Sequence, residues 1–386
     1  MGSAVAYELS RRGQSDIHVL DVDLEGELSS TERNAGGVRH LWQHPVNVEL
    51  ARHTIALFKR YKEEVGFREQ GYLWLQKKDY AESGNALLER ARRNRTEYHR
   101  LEVDEIRRRY PFLDKTEDLA FGIFGPRDGL INSNAAKVFF RKEAKAKGVR
   151  FHDFKWAQAL KIESGRVQVL VESLGDRPTA QQRLKAPQTP GGTAESWISD
   201  KVVVALGAWA QQVTPLTELR EVLEPVRRQI SFFEAENFSF GNFGMVVDSS
   251  RVYFHPEGGK LLSGFVIPHE KPGYNFNYDS SFFEDHIWPA LYERSTYFER
   301  LKQISGWAGM YNYTPDKSGV LGDVPGLPNV FEAHSFTGRG VMQSYGAALA
   351  LGELILDGGF STLDASVLHR NRLKAPNNWL VETLHI

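Results

Sequence analysis

The chain opens "MGSAVAYELSRRGQSDIHVLDVD", and these residues restrict the fold more than any other stretch. Small residues at Gly2, Ser3, Ala4 and Ala6 let a helix pack closely, and Gly13 stops it. A short apolar strand, Ile17 to Leu20, then runs into Asp21. This reads as the helix and second strand of a βαβ dinucleotide-binding unit, in which a glycine permits close helix–strand packing and the acid accepts hydrogen bonds from a ribose; the alternative is an amphipathic N-terminal helix followed by an ordinary strand. Gly2 precedes Asp21 by 19 residues, close to the roughly 20 expected of the motif. Such a unit normally begins with a buried strand and G-x-G-x-x-G, of which only the last glycine, Gly2, is present.

The rest of the chain alternates in type. A loop of small residues, "ELSSTERNAGGVRH", precedes a helix expected from about Asn47 to Val65. "GYLWLQ" reads as a strand, residues 80–110 as charged and helical, and "AFGIFGPRDGLIN" as a strand and turn. "NAAKVFFRKEAKAKG" is a helix with a stop at Gly148, and "ALKIESGRVQVLVES" is a hairpin across Ser164-Gly165. Residues 173–197 are rich in Pro, Gly, Gln and Thr and read as a flexible surface insertion. "KVVVALGAWA" is a buried strand entering a tight turn; strands dominate about 223–266, and a helix is expected over about 281–303. Parallel-type strands at both ends, with antiparallel-looking segments between, give an α/β class: an interrupted Rossmann-like domain with an inserted α+β domain on a mixed, largely antiparallel sheet. The expected division is 1–70, 125–222 and 315–386 for the first, and 71–124 and 223–314 for the second.

Bulk properties exclude several functions. A net charge of −1 argues against nucleic acid as a partner. With no cysteine, disulfides, thiolate metal sites and cysteine nucleophiles are ruled out. The histidines lack metal-ligand spacing, no Ser-His-Asp arrangement is evident, and no apolar run reaches the roughly 18 residues of a membrane span.

Three further stretches carry chemistry. In "SSTERNAGGVRH", Ser29, Ser30 and Thr31 can hydrogen-bond phosphate oxygens, and Gly36 and Gly37 allow backbone to approach a flat ring. Gly207 ends an apolar strand where cofactors often lie. In "HSFTGRGVMQ", Gly338 and Gly340 precede a helix whose free N–H groups favour an electron-rich group.

In this order the motifs "GSAVAYELSRRG", "STERNAGGVR", "PRDGLIN", "VVVALGAWA", "YTPD" and "FTGRGVMQ" resemble the FAD-dependent D-amino-acid oxidase superfamily, in its sarcosine and glycine oxidase branch. The likeness spans about residues 1–365 outside the insertion. The stretch from "FFEDHIW" to "SGVLG" resembles FAD-dependent oxidoreductase domain-containing proteins linked to respiratory complex I assembly. Family members begin with a strand and G-x-G-I-M-G-S, so Met1 matches an internal methionine. The expectation is a truncated chain that holds FAD poorly unless the gap is filled.

The resemblance implies FAD, held without a covalent bond. Gly309 stands where some sarcosine oxidases use a cysteine, and "SSTERN" offers no clear counterpart to the attachment histidine of dimethylglycine dehydrogenase-like relatives. It places Gly2, Asp21, Ser29, Ser30, Thr31, Ala35, Gly36, Gly37, Trp156, Gly207, Trp209, Thr337, Gly338, Arg339, Gly340, Val341 and Met342 near the cofactor. Arg39 matches the arginine that pairs with the substrate carboxylate; His40, Tyr253, His255 and Tyr311 complete the expected catalytic set. The oxygen-reactive lysine is replaced within "KLLSGFV" by Leu262, with Lys260 two residues away, and a second carboxylate-binding lysine is replaced by Met342. The implied reaction is oxidation of the C–N bond of a small amine or N-alkyl amino acid by hydride transfer to flavin. The electrons pass on to oxygen, or to an acceptor protein or quinone. The missing lysines also admit a flavin-fold assembly factor with little turnover. An NAD-dependent dehydrogenase leaves "FTGRGVMQ" unexplained. A soluble intracellular protein, cytoplasmic or mitochondrial, is expected.

Overall fold

The first helix, Gly2–Arg11, buries Ala4, Val5, Ala6 and Tyr7 and leaves Arg11 outward. The computed structural model describes residues 1–184, 193–236 and 238–384. In it this helix lies against helices Ser133–Ala146 and Ser344–Asp357, and the latter also packs on helix Pro45–Arg60. The Tyr7 ring meets Phe139 and Phe140 at 5.9 and 5.5 Å. Two buried glutamates cross this core. Arg12 bridges them, its Nε 2.8 Å from Glu8 and its Nη2 3.3 Å from Glu353, so neither carboxylate is buried unpaired. Strand His18–Leu20 runs parallel to Arg150–His152. Strand Val202–Val204 runs parallel to Val330–His334, which pairs antiparallel with Val320–Asp323. Among the described residues no strand connects these two small sheets.

The larger sheet has eight strands, in the order Leu301–Tyr313, Glu224–Ala235, Lys260–Phe265, Tyr253–Glu257, Met245–Val247, Tyr72–Lys77, Leu119–Gly125 and His99–Leu101. Only the Met245–Val247 and Tyr72–Lys77 pair is parallel. One face carries its own core, in which Phe233, Phe254, Phe282 and Phe298 are almost wholly buried. The other face looks toward the loop Ser29–Gly37. The mixed α/β class and the inserted, mostly antiparallel sheet are both present.

Local differences from the sequence-based expectation have physical causes. The helix expected over 47–65 runs from Pro45 to Arg60, breaks at Tyr61 and resumes over Lys62–Val65. Residues 80–110 form two helices, Ala81–Arg93 and Val103–Arg109, separated by the edge strand His99–Leu101. The helix expected over 281–303 is short and irregular: a π turn at Phe283–Ile287, an α turn at Trp288–Tyr292, then an end at Ser295 in extended backbone. Arg294 is turned inward there, donating from Nε to Asp248 at 2.8 Å and from Nη1 to Asp118 at 2.7 Å. Breaking such a buried ion pair costs about 3–5 kcal/mol, more than helix continuation returns. From Leu301 onward the chain is drawn into the sheet by pairing with Glu224–Ala235. Within 173–197, residues 193–197 belong to strand Thr193–Ser199, paired antiparallel with Arg166–Ser173, and Ala180–Leu184 is a short helix. Residues 174–179 connect strand and helix, and 185–192 lie outside the described residues.

Candidate active site

The strand ends and turns singled out in the sequence meet along one seam between the small sheets and the large one. The Met1 amino group lies within Coulombic reach of Asp21. A Cβ on Gly2 would sit 3.5 Å from Ala205, at the end of strand Val202–Val204. Two residues on, Gly207 has a positive φ of 55° and begins a 3-10 turn. The Asn312 amide nitrogen donates to the Gly207 carbonyl (3.3 Å), to Gln211 (3.1 Å) and to the Ser335 hydroxyl (2.8 Å). Ser335 and Thr337, both at positive φ, lead into Gly338, where a Cβ would fall 2.2 Å from the Tyr311 ring. Only glycine lets that turn approach so closely.

The loop Ser29–Gly37 closes the other side. Ser30 donates to the Met310 carbonyl, Arg33 Nη1 to Ala308 (2.7 Å), and Trp307 Nε1 to Arg33 (3.2 Å). Gly37 pairs with Leu130, and a Cβ there would overlap the Tyr72 hydroxyl. A small cavity between this loop and the sheet is lined by Ser30, Arg33, Ala35, Arg228, Tyr253 and Tyr311. Burial raises the Tyr253 and Tyr311 hydroxyls above the ordinary tyrosine pKa and so makes them weaker acids, and both stay protonated donors at neutral pH.

Arg39 is 2% exposed. Its guanidinium lies 3.6 Å over the Trp42 ring and 4.9 Å from that of Trp74. It donates to the carbonyls of Leu41 and Leu384, and to no carboxylate among the described residues. Next to it, His40 Nδ1 donates to Asp128 at 2.8 Å. Asp128 is 1% exposed and also accepts from the His40 backbone N–H (2.9 Å) and the Tyr98 hydroxyl. Three donors on one carboxylate hold the imidazole by Nδ1, and Nε2 makes no hydrogen bond among the described residues.

Several expected site residues take other places. His255 is buried, with Nε2 2.8 Å from the Ala35 carbonyl and Nδ1 3.1 Å from that of Pro256. It is a clasp between sheet and loop, with no ring nitrogen left for proton transfer. Trp209 stacks on Tyr274, centroids 4.5 Å apart, and on Phe276. Trp156 is buried on the separate sheet of Lys155–Glu163, opposite Glu172. Met342 is buried in the helix core and Val341 packs against it. Lys260 pairs with Glu234 at 2.9 Å, and Leu262 is buried in an apolar cluster. The Ser29 hydroxyl accepts from the Glu32 N–H, and the Thr31 backbone carbonyl accepts from the Asn34 N–H, both within their own loop.

Four participants went unseen in the sequence reading. Asp128 sits in the quoted "PRDGLIN", but its partner His40 is 88 residues away. Asn312 and Arg228 show no motif of their own. The segment Leu380–Leu384 folds back over Arg39: Glu382 accepts from the Gln43 N–H (2.9 Å) and Asn47 (3.2 Å), and Leu380 donates to Asp316 (2.9 Å).

The family model for FAD dependent oxidoreductases matches residues 1–354. The chain belongs to that family. It is 27% identical over 407 residues to FAD-dependent oxidoreductase domain-containing protein 1 of Xenopus laevis, covering 95% of this chain and 79% of that one. It is 24% identical over 389 residues to monomeric sarcosine oxidase of Bacillus sp. strain B-0618, covering 96% and 93%. The crystal structure of L-proline dehydrogenase from P. horikoshii shares the fold, with a TM-score of 0.84 at 21% identity over 97% of this chain and 95% of that one.

FAD is the cofactor of this family, and the seam suits it. The Nε of Arg228 is buried without an acceptor. A Cβ at Gly207 would meet nothing within 4 Å, and at Gly340 only Phe336 at 4.0 Å. A buried donor and two bare backbone turns match a ligand rich in phosphate and carbonyl oxygens. With Gly309 at the position expected of a cysteine and no cysteine anywhere, no thioether to the flavin can form. Among the described residues no helix is long and apolar enough to cross a membrane, and no cluster suits a metal ion.

Proposed function

We propose that this chain oxidises the carbon–nitrogen bond of a small amine or N-alkyl amino acid, with residues 1–70, 125–222 and 315–386 holding the cofactor and the large sheet holding the substrate. The observation that carries the reading is Arg39: a buried guanidinium, flanked by two indoles, with no carboxylate partner among the described residues. Burial opposes its charge, and a substrate carboxylate meeting the fork bidentately supplies the missing counter-ion.

The rest of the site performs the accompanying steps. The substrate nitrogen must be uncharged before its neighbouring C–H bond is oxidised. His40, oriented by Asp128, offers Nε2 for that proton. Tyr253 and Tyr311 keep their protons and donate to the substrate's polar atoms from the sheet side. Bound FAD supplies the two-electron oxidation. The resulting imine hydrolyses to a carbonyl compound and an amine.

Buried Leu262 and Met342 take the positions of both expected lysines, and Lys260 is held by Glu234. This favours a dehydrogenase passing electrons to a protein or quinone over a fast oxidase. Anaerobic mixing of the FAD-loaded protein with a panel of N-methyl amino acids and cyclic amino acids tests the reading. Loss of the flavin's visible absorbance with one of them is expected. Photoreduction that works while every amine leaves the spectrum unchanged would refute it in favour of an assembly factor.

A further inference from the structure

We propose that the substrate carries two acidic groups, one held by Arg39 and the other by Arg339. This rests on the oxidative reading above and narrows its substrate to N-substituted amino dicarboxylates.

Arg339 follows the glycine turn and is 3% exposed. Its guanidinium lies 5.1 Å from the centroid of the same Trp42 ring that Arg39 covers at 3.6 Å. One indole therefore holds two cationic forks, and the positive charge of Arg39 acts against that of Arg339. Arg339 uses only Nε, which donates to the Phe336 carbonyl at 3.1 Å. Both Nη nitrogens are buried with no acceptor. Leaving donors of a charged group unmet in the interior is costly, so the arrangement calls for an acceptor-rich ligand.

The acids nearby are committed elsewhere. Glu382 is the first of the charges that favour protonated Arg339, but its oxygens accept from Gln43 and Asn47. Asp316 is taken by Arg372 at 2.7 Å, and Asp128 by His40 and Tyr98. No described carboxylate bonds to either fork. A carboxylate needs two parallel N–H donors: Arg339 has both Nη nitrogens unengaged, and Arg39 presents such a pair once the Leu384 carbonyl is displaced. Two forks set against one ring can each take one carboxylate of a single ligand. The cofactor's own oxygens are the rival occupant of Arg339.

The test uses the FAD-loaded protein and two unreactive probes, glutarate and its monomethyl ester, titrated while the flavin spectrum and the thermal midpoint are followed. Glutarate is expected to bind at least roughly tenfold tighter than the monoester, a difference of one charged hydrogen-bonded contact. Arg339→Met should level the two, Arg339→Lys should restore part of the gap, and Arg39→Met should weaken both. Equal affinities in the unaltered protein overturn the proposal. So does an Arg339→Met protein that loses FAD on gel filtration yet, when reloaded, still prefers the diacid, because Arg339 then serves the cofactor. If no amine reduces the flavin but the diacid preference stands, the oxidative reading falls and the two-arginine site survives. If N-methyl monocarboxylates are oxidised and the second acid group adds nothing, the opposite holds.

Discussion

Replacing Arg39 by methionine tests the site at its most committed residue. The guanidinium is 2% exposed, so water cannot take its place when it is gone. A substrate carboxylate on the fork makes two charge-assisted hydrogen bonds, and truncating one partner of such a buried pair costs about 2–5 kcal/mol. The substrate must first displace the Leu384 carbonyl, a neutral hydrogen bond worth about 1 kcal/mol. The net loss is about 1–4 kcal/mol, or roughly 5- to 1,000-fold in kcat/KM. The assay is anaerobic flavin reduction by an N-methyl amino acid and, in parallel, by the matching amine without its carboxyl group. In the unaltered protein the acid should be strongly preferred. In Arg39→Met the two substrates should converge, because the amine never used the fork. A variant that keeps the full preference for the acid, or that loses activity on both substrates equally while holding FAD, refutes the role assigned to Arg39.

Other consequences follow from the same geometry. Asp128→Asn keeps the size of the side chain but gives the imidazole a weaker partner than the carboxylate now 2.8 Å away. A fall in kcat of roughly 10–100-fold is expected with KM little changed, read by single-turnover reduction. Gly37→Ala drives a methyl group into the Tyr72 hydroxyl and should cost about 1–3 kcal/mol in urea unfolding. Adding Tyr72→Phe removes that oxygen and should recover part of the loss. Glu332 is buried between Arg370 and His334, and these partners hold its carboxyl down to about 2. The folded form therefore resists protonation more than the unfolded form does. The stabilisation is complete above the ordinary carboxylate range and disappears as pH falls from about 4.5 toward 2. Glu332→Gln should flatten that part of a denaturant-midpoint profile.

Much of this architecture is written locally. The opening helix and strand are legible because small residues, a glycine stop and an apolar run ending in an acid are all contiguous. The hairpin at Ser164-Gly165 is legible because both residues take the positive φ that such a turn demands. The failed helix over 281–303 shows the opposite case. Its apolar spacing persists, yet Arg294 is pulled inward by Asp118 and Asp248, residues more than 40 positions away in sequence. The site divides in the same way. Arg39 and the glycine turns stand in short motifs, whereas Asp128 acquires its meaning only when the fold brings it to His40. His255 carries an imidazole suited to catalysis, but the position of the Ala35 carbonyl turns it into a clasp, and no local pattern announces that.

The Asn312 amide joins the turn after Val204 to the turn after His334, and the segment ending at Leu384 lies across an arginine near residue 40. Contributions from the first tenth, the middle and the last tenth of the chain must all be in place together. During synthesis an intermediate still short of residue 340 can already hold the turn at Gly207 through Asn312 and Ser335, but it lacks the second glycine turn. A ligand gripped by both turns is thus taken up late, after the stretch around residue 340 has joined the fold.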